Sequence, residues 1–530
     1  MIFRSPFPEI SIPDIALTPF VFARARERGP KAALIDGVTG REITYAALEE
    51  AVRRVAASLH ARGLRKGDVF AIYSPNTVEY AAAFHAVSLL GGVVTTLNPL
   101  CTAEEVARQL ADSRAKYLLT SPALIGRARE AATQLSLREL FVFGESEGAT
   151  PFAELYDSDA DAPAVEIDPR EDLVALPYSS GTTGVSKGVM LTHRNLVANL
   201  LQVEGTGHAD ESDTFVCVLP LFHIYGMNVM MNFGLYAGAT VVILPRYDLD
   251  VLLGAMERHR VTLAHAVPPI MLALARHPVV ARHDLSSVHT VFSGAAPLGS
   301  SLAGEVAARL GCRVIQGYGM TETSPATHMT PPEGGRANLG SVGVVVPNTE
   351  CKIVDVETGE ELEANRDGEI CVRGPQVMKG YLNRPDATRE TIDEGGWLHT
   401  GDIGYADDAG HFYVVDRKKE LIKYKGFQVA PAELEALMLT HPSVADCAVI
   451  PAPDDEAGEV PKAFVVLKEN HAATAEELIA HVSAHVAPHK KIRCVEITDH
   501  IPKSPSGKIL RRLLVARERA VHQTSQKAIK

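Results

Sequence analysis

The chain of 530 residues is longer than one ordinary hydrophobic core supports, so at least two domains are expected. Hydrophobic residues make up 46% and charged residues 22% of the chain, which is the composition of a globular protein. The net charge of -13 argues against a general nucleic-acid-binding protein, because such proteins present a basic surface.

The ends of the chain and its cysteines indicate the compartment. Residues 1–15 contain acids and prolines without a long apolar run, so no signal peptide is expected. No apolar stretch reaches the roughly 20 residues that span a bilayer, and the last three residues are not a peroxisomal address. Seven scattered cysteines without C-x-x-C spacing predict reduced thiols rather than disulfides or a zinc site. We therefore expect a cytoplasmic protein without a membrane span.

Helical and extended patterns alternate from the N-terminus onward. Apolar residues recur at helical spacing over residues 44–62, which end at Gly63, and again over residues 80–90. Short β-branched runs at residues 69–73 and 93–97 predict strands. This alternation predicts an α/β fold with substantial parallel sheet.

A loop rich in glycine and hydroxyl groups follows a predicted strand at residues 173–178. Its glycines allow tight turns, its successive N–H groups can form a concave anion site, and Lys187 adds a mobile cation. Residues 192–195 open a predicted helix, and a strand–loop–helix order favours phosphate binding. The loop is not a Walker A motif, because Gly188 follows the lysine. Composition alone leaves a flexible surface loop as the alternative.

A domain boundary is predicted near residues 416–419. The chain beyond it has its own α+β alternation over about a hundred residues, a plausible domain size. The predicted helices and strands of this part are residues 432–439, 445–450, 463–467 and 475–486. We therefore predict a large domain, residues 1–418, and a small one, residues 419–530. The polar and basic stretch 511–530 is predicted to be a frayed tail.

Four segments, in this order along the chain, resemble the signature motifs of the adenylate-forming superfamily, which includes acyl-CoA synthetases, beetle luciferases and peptide-synthetase adenylation domains. The segments are residues 179–188, Tyr318-Gly319-Met320-Thr321-Glu322, Thr400-Gly401-Asp402 and residues 506–511. Residues 368–374 and 423–431 are most similar to the 4-coumarate–CoA ligases and their bacterial relatives. Ser186 departs from that branch, which often has proline there. The resemblance implies mixed and parallel sheets layered with helices in the large domain, and a small, mobile α+β C-terminal domain.

The resemblance also implies that ATP and coenzyme A are cosubstrates and that Mg²⁺ is a cofactor. It implies roles for individual residues as well. The catalytic residues would be Lys508, His223, Lys423, Gln428, Thr321 and Glu322, of which Glu322 would hold Mg²⁺. ATP or AMP would be bound by Ser179, Ser180, Gly181, Thr182, Thr183, Gly184, Lys187, Gly294, Ala295, Ala296, Gln316, Gly317, Tyr318, Gly319, Met320, Asp402 and Arg417. Coenzyme A would contact Lys425 and Gly426, and Lys419 would be a hinge. The acyl pocket would contain Ile224, Tyr225, Asn228, Gly294, Gly319, Pro325 and Ala326.

Three of these roles have an ordinary structural alternative. Lys508 would contact the α-phosphate and the substrate carboxylate, but most lysines are solvated. Asp402 and Arg417 would bind the ribose hydroxyls, although an aspartate after glycine is often a turn residue. His223 would close the acyl pocket without acting as a base, although a lone histidine on an apolar strand is more often a core residue.

The implied reaction has two steps. A substrate carboxylate attacks the α-phosphate of ATP, so that charge neutralisation and positioning matter and no separate base is required. The thiol of coenzyme A then attacks the acyl-AMP. We expect rotation of the small domain between the steps, because Lys508 and residues 425–427 both lie in it.

An aryl acid of the cinnamate type suits the mixture of small and aromatic pocket residues. The alternatives are a medium-chain fatty acid, an adenylation enzyme that loads a carrier-protein thiol, a luciferase-like oxygenase and a non-catalytic nucleotide-binding protein. The expected partners are a small carboxylic acid, ATP and coenzyme A, with no nucleic acid, in a monomer or homodimer.

Overall fold

The computed structural model describes residues 1–133, 135–179, 186–332, 338–417, 420–424, 427–454, 457–486, 488–504 and 507–529. The α-helices are α1 (Leu17–Val21), α2 (Ala25–Arg28), α3 (Tyr45–Ala61), α4 (Glu79–Leu89), α5 (Ala103–Ser113), α6 (Ile125–Ala132), α7 (His193–Glu204), α8 (Phe233–Ala237), α9 (Leu249–Arg258), α10 (Pro268–Arg276), α11 (Ser300–Leu310), α12 (Pro385–Thr391), α13 (Pro431–Met438), α14 (Ala475–Ser483) and α15 (Arg511–Ile529). A π-helix, Tyr225–Asn232, runs into α8.

The strands fall into four sheets. They are β1 (Ile2–Arg4), β2 (Ala32–Asp36), β3 (Glu42–Thr44), β4 (Val69–Tyr73), β5 (Val93–Leu97), β6 (Ala115–Thr120), β7 (Glu139–Val142), β8 (Thr150–Pro151), β9 (Leu173–Ala175), β10 (Tyr178–Ser179), β11 (Lys187–Thr192), β12 (Thr214–Cys217), β13 (Thr240–Ile243), β14 (Leu263–Ala266), β15 (Thr290–Ser293), β16 (Arg313–Gly319), β17 (Ala326–Met329), β18 (Val344–Val345), β19 (Glu350–Val354), β20 (Gly368–Arg373), β21 (Gly380–Tyr381), β22 (Leu398–Ala406), β23 (Phe412–Arg417), β24 (Ile422–Tyr424), β25 (Phe427–Val429), β26 (Val444–Asp454), β27 (Gly458–Leu467) and β28 (Cys494–Ile497).

Two nine-stranded sheets form the larger part of the molecule. The first has the order β10-β11-β9-β5-β4-β6-β7-β8, with β21 paired to β11, and the second has the order β18-β17-β16-β15-β14-β12-β13-β2-β3. The centres of both sheets are parallel and their ends are partly antiparallel. Parallel strands are covered on both faces, which explains why β4 and β5 are almost continuously buried. The predicted α/β fold is confirmed.

Two five-stranded sheets complete the fold. An antiparallel sheet, β1-β19-β20-β22-β23, precedes the predicted boundary. A C-terminal sheet, β25-β24-β27-β26 with β28 parallel to β27, lies beyond it. The C-terminal sheet has its own apolar cluster, which includes Ile422, Leu434, Val449, Val465 and Leu478. Among the described residues, every helix is too short or too polar to cross a bilayer.

Residues 173–192 contain three strands where one strand and a loop were predicted. The predicted strand at 173–178 is two short strands, β9 and β10, and Pro177, which has no N–H to donate to a ladder, lies between them. A third strand, β11, follows the loop and pairs antiparallel with β10, with Tyr178 opposite Gly188. The predicted helix start is confirmed, because α7 begins at His193 after a capping box between Thr192 and Asn195. Strand β11 therefore lies between the loop and α7 in the sequence.

The predicted frayed tail is also wrong. Residues after Arg511 form α15, and Leu514 is 4% exposed in a cluster with Ile450, Phe464 and Ile501. Arg511 ion-pairs with Glu435, with a distance of 2.6 Å between nitrogen and oxygen. The helix was not predicted because the stretch is mostly polar and basic, and only one narrow apolar face of the helix packs against the C-terminal sheet.

Candidate active site

The carboxyl edge of the second nine-stranded sheet gathers most of the predicted site residues. Strands β12, β14, β15 and β16 are parallel, so their carboxyl ends meet at one edge, the usual ligand edge of α/β sheets. His223 follows β12, Gly294 follows β15, and Thr321 and Glu322 follow β16 in a short 3₁₀ turn. Separate parts of the sequence are thus brought together by the register of the sheet.

His223 lies in the turn before the π-helix, and the prediction of an apolar strand there is wrong. Its N–H donates to the oxygen of Pro220 at 3.1 Å, and its Nδ1 accepts from the N–H of Tyr225 at 3.2 Å. Burial, assisted by the positive charge of Lys508, lowers the pKa of His223 to about 4. At neutral pH the ring is therefore neutral, with its proton on Nε2, and can donate one hydrogen bond into the site.

Tyr318, Asp402 and Arg417 form a hydrogen-bonded group. The Tyr318 hydroxyl donates to Asp402 Oδ2 at 2.7 Å, and Arg417 Nε lies 2.9 Å from Asp402 Oδ1. Asp402 and Arg417 are directly opposite each other on β22 and β23. Burial, with the Asp402 carboxylate, holds the pKa of Tyr318 well above its usual value. The residues predicted to bind adenine and ribose thus contact one another. Each oxygen of Asp402 still has a second lone pair that could accept a hydrogen bond from a ribose hydroxyl.

Lys508 approaches this group from the segment between β28 and α15. Burial and the charge of Arg417 lower its pKa, and Asp402 is also close enough to affect that pKa. The preceding Gly507 has φ +79°, and a Cβ atom there would lie 3.1 Å from Val267 Cγ2 and 3.2 Å from Pro269 Cδ. The glycine therefore permits close contact with the segment after β14, and the chain places Lys508 within electrostatic reach of His223.

Glu322 and Lys187 both contact Tyr381, a residue for which no role was predicted from the sequence. Glu322 is 5% exposed, and its Oε1 accepts a hydrogen bond of 2.8 Å from the Tyr381 hydroxyl. Lys187 Nζ lies 4.4 Å from the centroid of the Tyr381 ring. Mg²⁺ in phosphate-transferring sites is held by one or two carboxylates together with substrate phosphates, so a buried glutamate held by a neutral hydroxyl fits that ion.

Several other predicted nucleotide residues are near this edge. Gln316 donates its Nε2 protons to the oxygens of Leu298, at 3.2 Å, and Leu339, at 2.5 Å, so its side chain connects two loops. Gly317 and Gly319 allow close packing, since a Cβ at Gly319 would lie 1.9 Å from the oxygen of Pro325. Met320 begins the turn of Thr321 and Glu322, and Ala295, beside Ala296, has φ +69°.

Part of the predicted site lies outside the described residues. These residues are Ser180, Gly181, Thr182, Thr183, Gly184, Lys419, Lys425 and Gly426, together with the side chain of Gln428. Ser179 is described, and its Oγ is buried without a partner among the described residues. Lys423 is exposed, and its N–H donates to Glu459 Oε2 at 2.8 Å within the C-terminal sheet.

The predicted acyl-pocket residues are buried and surround the start of the π-helix. Ile224, Tyr225 and Asn228 are 1%, 6% and 1% exposed, and Asn228 Nδ2 donates to the oxygen of Ser324 at 2.6 Å. This bond ties the π-helix to the segment of Pro325 and Ala326. A Cβ at Gly294 would lie 3.2 Å from Tyr225 Cε1, so glycine keeps that side open.

Two aromatic neighbours of Tyr225 were not predicted. His265 and Phe292 have ring centroids 5.6 Å and 6.1 Å from that of Tyr225, and the Tyr225 hydroxyl lies 3.2 Å from His265 Nδ1. Both residues point to the same face because His265 and Phe292 are opposite each other in the register of β14 and β15. The only available sequence signal was their position in short buried strands.

A carboxylate, a thiol and an imidazole meet beside β22, the strand that contains Asp402. His399 Nδ1 lies 3.4 Å from both Cys371 Sγ and Glu369 Oε2, and Glu369 Oε1 accepts from the N–H of Gly401 at 3.1 Å. Hydrogen bonding with Cys371 and then Glu369 raises the pKa of His399 to about 10. This group connects β20 to β22 and supports the backbone next to Asp402.

The single tryptophan of the chain directly precedes β22. Trp397 is 6% exposed, and its ring has Lys352 Nζ at 4.7 Å and Arg373 Cζ at 4.5 Å from its centroid. Two cations on one indole hold the ring through cation–π attraction. Its backbone N–H donates to Asp393 Oδ1 at 2.9 Å, so the ring and the start of β22 are held together.

Solved structures of related sequence share this fold. An anthranilate CoA ligase in complex with anthranoyl-AMP has a TM-score of 0.88 at 27% identity, covering 96% of this chain and 98% of that one. ATP-bound MatB from Rhodopseudomonas palustris has a TM-score of 0.86 at 30% identity, covering 95% and 99%.

Sequence relatives span nearly the whole chain. The 4-coumarate–CoA ligase 5 of Oryza sativa subsp. japonica is 47% identical over 526 residues, covering 97% of each chain. The 4-coumarate–CoA ligase 1 of Petroselinum crispum is 46% identical over 527 residues, covering 98% of this chain and 97% of its own. The model of the AMP-binding enzyme family matches residues 21–382, and that of the AMP-binding enzyme C-terminal domain matches residues 433–508. This chain therefore belongs to the AMP-binding enzyme family.

Proposed function

We propose that this protein is an ATP-dependent acid–CoA ligase that activates an aryl acid of the 4-coumarate type through an acyl-AMP. The observation that supports this most directly is the position of Lys508: the preceding Gly507 packs close to Val267 and Pro269 after β14, and the charge of Lys508 helps to lower the pKa of His223. A cation placed between a nucleotide-binding group and a buried aromatic pocket is what adenylation of a carboxylate requires.

In the first step, a carboxylate oxygen of the acid forms a bond to the α-phosphorus of ATP, and the bond to pyrophosphate breaks. Lys508 stabilises the negative charge that develops on the α-phosphate, while Thr321 donates to the same phosphate. The neutral His223 donates from Nε2 towards the carboxylate, which needs no base because it is already a nucleophile. Glu322 would hold Mg²⁺, which supplies charge neutralisation for the departing phosphates.

In the second step, the thiol sulfur of coenzyme A forms a bond to the acyl carbonyl carbon, and AMP leaves. We propose that residues 419–530 act as a lid that rotates about Lys419 between the steps, so that Lys425 and Gly426 meet coenzyme A. A separate apolar cluster beyond Ile422 supports a unit that moves as a body. Lys423 is exposed when Lys508 occupies the site, which also supports two different lid positions.

The aromatic rings about the pocket favour an aryl acid. Tyr225, His265 and Phe292 pack edge-on or tilted against one another, and Gly294 leaves space on the Tyr225 face. Flat rings bind well between such surfaces, since aromatic pairs gain roughly 0.5–1.5 kcal/mol beyond simple burial. Both of the relatives described above are 4-coumarate–CoA ligases by name, in agreement with this pocket.

Pyrophosphate release across a panel of cinnamic, benzoic and medium-chain fatty acids tests the proposal. Each acid is supplied with and without coenzyme A, and the thioester is quantified by chromatography. We expect the highest kcat/KM with a hydroxycinnamic acid, and thioester only when coenzyme A is present. Preference for a medium-chain acid would contradict the aryl assignment, and transfer only to a carrier protein would contradict the acceptor.

A further inference from the structure

Tyr381 contacts two oppositely charged residues that the proposed reaction uses. Its hydroxyl donates to Glu322 Oε1 at 2.8 Å, and its ring lies under Lys187, with 4.4 Å between Nζ and the ring centroid. The side chain is 6% exposed, so both contacts are made in a largely water-free setting, where charge-assisted contacts are stronger. No role was predicted for this tyrosine from the sequence.

The backbone around Tyr381 explains how one residue reaches both partners. Strand β21 pairs antiparallel with β11, with Tyr381 opposite Val189, and the N–H of Leu382 donates to the oxygen of Gly188 at 2.8 Å. On the other side, the N–H of Met378 donates to the backbone oxygen of Glu322 at 2.8 Å. The short segment from Met378 to Leu382 therefore connects the end of the phosphate loop to the turn after β16.

The two contacts of Tyr381 have different effects on their charged partners. A hydroxyl that donates to one oxygen of a carboxylate fixes the carboxylate plane and leaves the charge of Glu322 in place. A ring under an ammonium group restrains Lys187 through attraction to the π face, without neutralising its charge. Both charged groups are thus held in position by a neutral side chain, which forms no ion pair with either of them.

We infer that Tyr381 is a positioning residue for the metal-bound triphosphate: it orients Glu322 and Lys187 so that both meet the β- and γ-phosphates of ATP when the nucleotide binds. The inference rests on the proposed function. It concerns adenylation alone, because thioester formation from acyl-AMP involves neither pyrophosphate nor its metal ion.

Tyr381→Phe tests the inference, because it removes the hydroxyl and keeps the ring. The readout is calorimetric titration with an ATP analogue whose α,β-bridging oxygen is a methylene group, at limiting and at saturating Mg²⁺. We expect about tenfold weaker binding at limiting Mg²⁺, the effect of one lost hydrogen bond to a charged group, and near-wild-type binding at saturation. The KM for Mg²⁺ in pyrophosphate release should rise while kcat at saturation is retained.

Tyr236→Phe is the matched control. The Tyr236 hydroxyl also donates to a glutamate, Glu204 Oε2, at 2.8 Å, on the surface beside α7. It should titrate like the wild type. Glu322→Gln supplies a second arm: if Tyr381 acts through Glu322, the pair Glu322→Gln with Tyr381→Phe should bind the analogue no more weakly than Glu322→Gln alone.

Other outcomes separate this inference from the proposed function. Wild-type binding by Tyr381→Phe at limiting Mg²⁺, or equal losses in adenylation and in thioester formation from supplied acyl-AMP, would overturn the positioning role. A wild-type protein that binds no nucleotide would instead overturn the proposed function, and this inference with it.

Discussion

Lys508 is surrounded by charges that matter to the first chemical step. It lies near Arg417 and Asp402, and its pKa is lowered by burial and by Arg417. We propose that Lys508 stabilises the α-phosphate, so replacing it with alanine should slow adenylation by at least ~100-fold, as for the loss of one preorganised donor. Pyrophosphate release with a saturating acid measures the effect.

The matched control is Lys503→Ala. Lys503 lies five residues earlier on the same segment and is ion-paired with Asp446 at 2.7 Å. Its removal should leave adenylation within about twofold of the wild type, since partly exposed ion pairs contribute at most about 1 kcal/mol. An equal loss from both variants would mean that the effect is general to basic residues of the segment.

His399 makes a pH-dependent contribution to stability. Its pKa is raised to about 10 by Cys371 and Glu369, from an ordinary value near 6.5. The contribution is therefore complete below about pH 6.5 and is lost as the pH rises towards 10. The difference in Tm between the wild type and His399→Gln should shrink steadily over that interval. Parallel pH profiles for the two proteins would contradict a protonated His399.

The candidate site residues His223, Glu322, Asp402 and Lys508 were predicted through resemblance to a family. Parallel register brings the segments after β12 and β16 to one edge, the Tyr318 hydroxyl connects Asp402 of β22 to that edge, and Gly507 brings the segment of Lys508 close to Val267. Tyr381 could not be predicted in this way, because its partners are 59 and 194 residues away along the chain. Contacts of this kind depend on tertiary packing and leave no local pattern.

Among the structural elements, β11 separates the predicted phosphate loop from helix α7, which begins at His193 as predicted. If the loop binds phosphate, we expect the donors to be its own N–H groups and Lys187 rather than the N-terminus of α7. β4 and β5 were predicted correctly because buried parallel strands have continuous apolar sequences. The break between β9 and β10 was not predicted, because it depends only on the N–H that Pro177 lacks.

Two neighbouring leucines test whether helix α15 packs against the C-terminal sheet. Leu514 is 4% exposed in the cluster with Ile450 and Phe464, whereas Leu513 is 49% exposed. Leu514→Ala should destabilise the C-terminal part by about 2–4 kcal/mol, and Leu513→Ala should change its stability by under ~0.5 kcal/mol. Hydrogen exchange of amides in β26 and β27 measures the local opening free energy. Equal effects would support the frayed tail that the composition suggested.

At the scale of the whole molecule, we propose that the lid position in this structure is the one used for adenylation. Gly507 has φ +79° and approaches Val267 and Pro269 closely. Gly507→Ala would strain the backbone and crowd this contact, so adenylation should fall about tenfold, since a left-handed alanine costs about 1–2 kcal/mol. Thioester formation from supplied acyl-AMP should change by less than about twofold.

Lys419→Pro should give the opposite pattern. Proline fixes its φ and restricts the residue before it, so a rotation about this position would be blocked while the adenylation position could remain. We expect pyrophosphate release to persist and thioester to be lost. The two half-reactions are measured separately, with ATP and acid in one assay and with acyl-AMP and coenzyme A in the other. Loss of both reactions in this variant would contradict a hinge at Lys419.

Trp397 gives the protein an intrinsic optical signal. It is the single tryptophan, its ring contacts two cations, and it directly precedes β22, which contains Asp402. Nearby charges shift the emission of an indole, so nucleotide binding at Asp402, the proposed ribose site, should change the wavelength and intensity of the emission from this one indole. Binding could then be followed in stopped-flow experiments on the unlabelled enzyme, without attaching a dye.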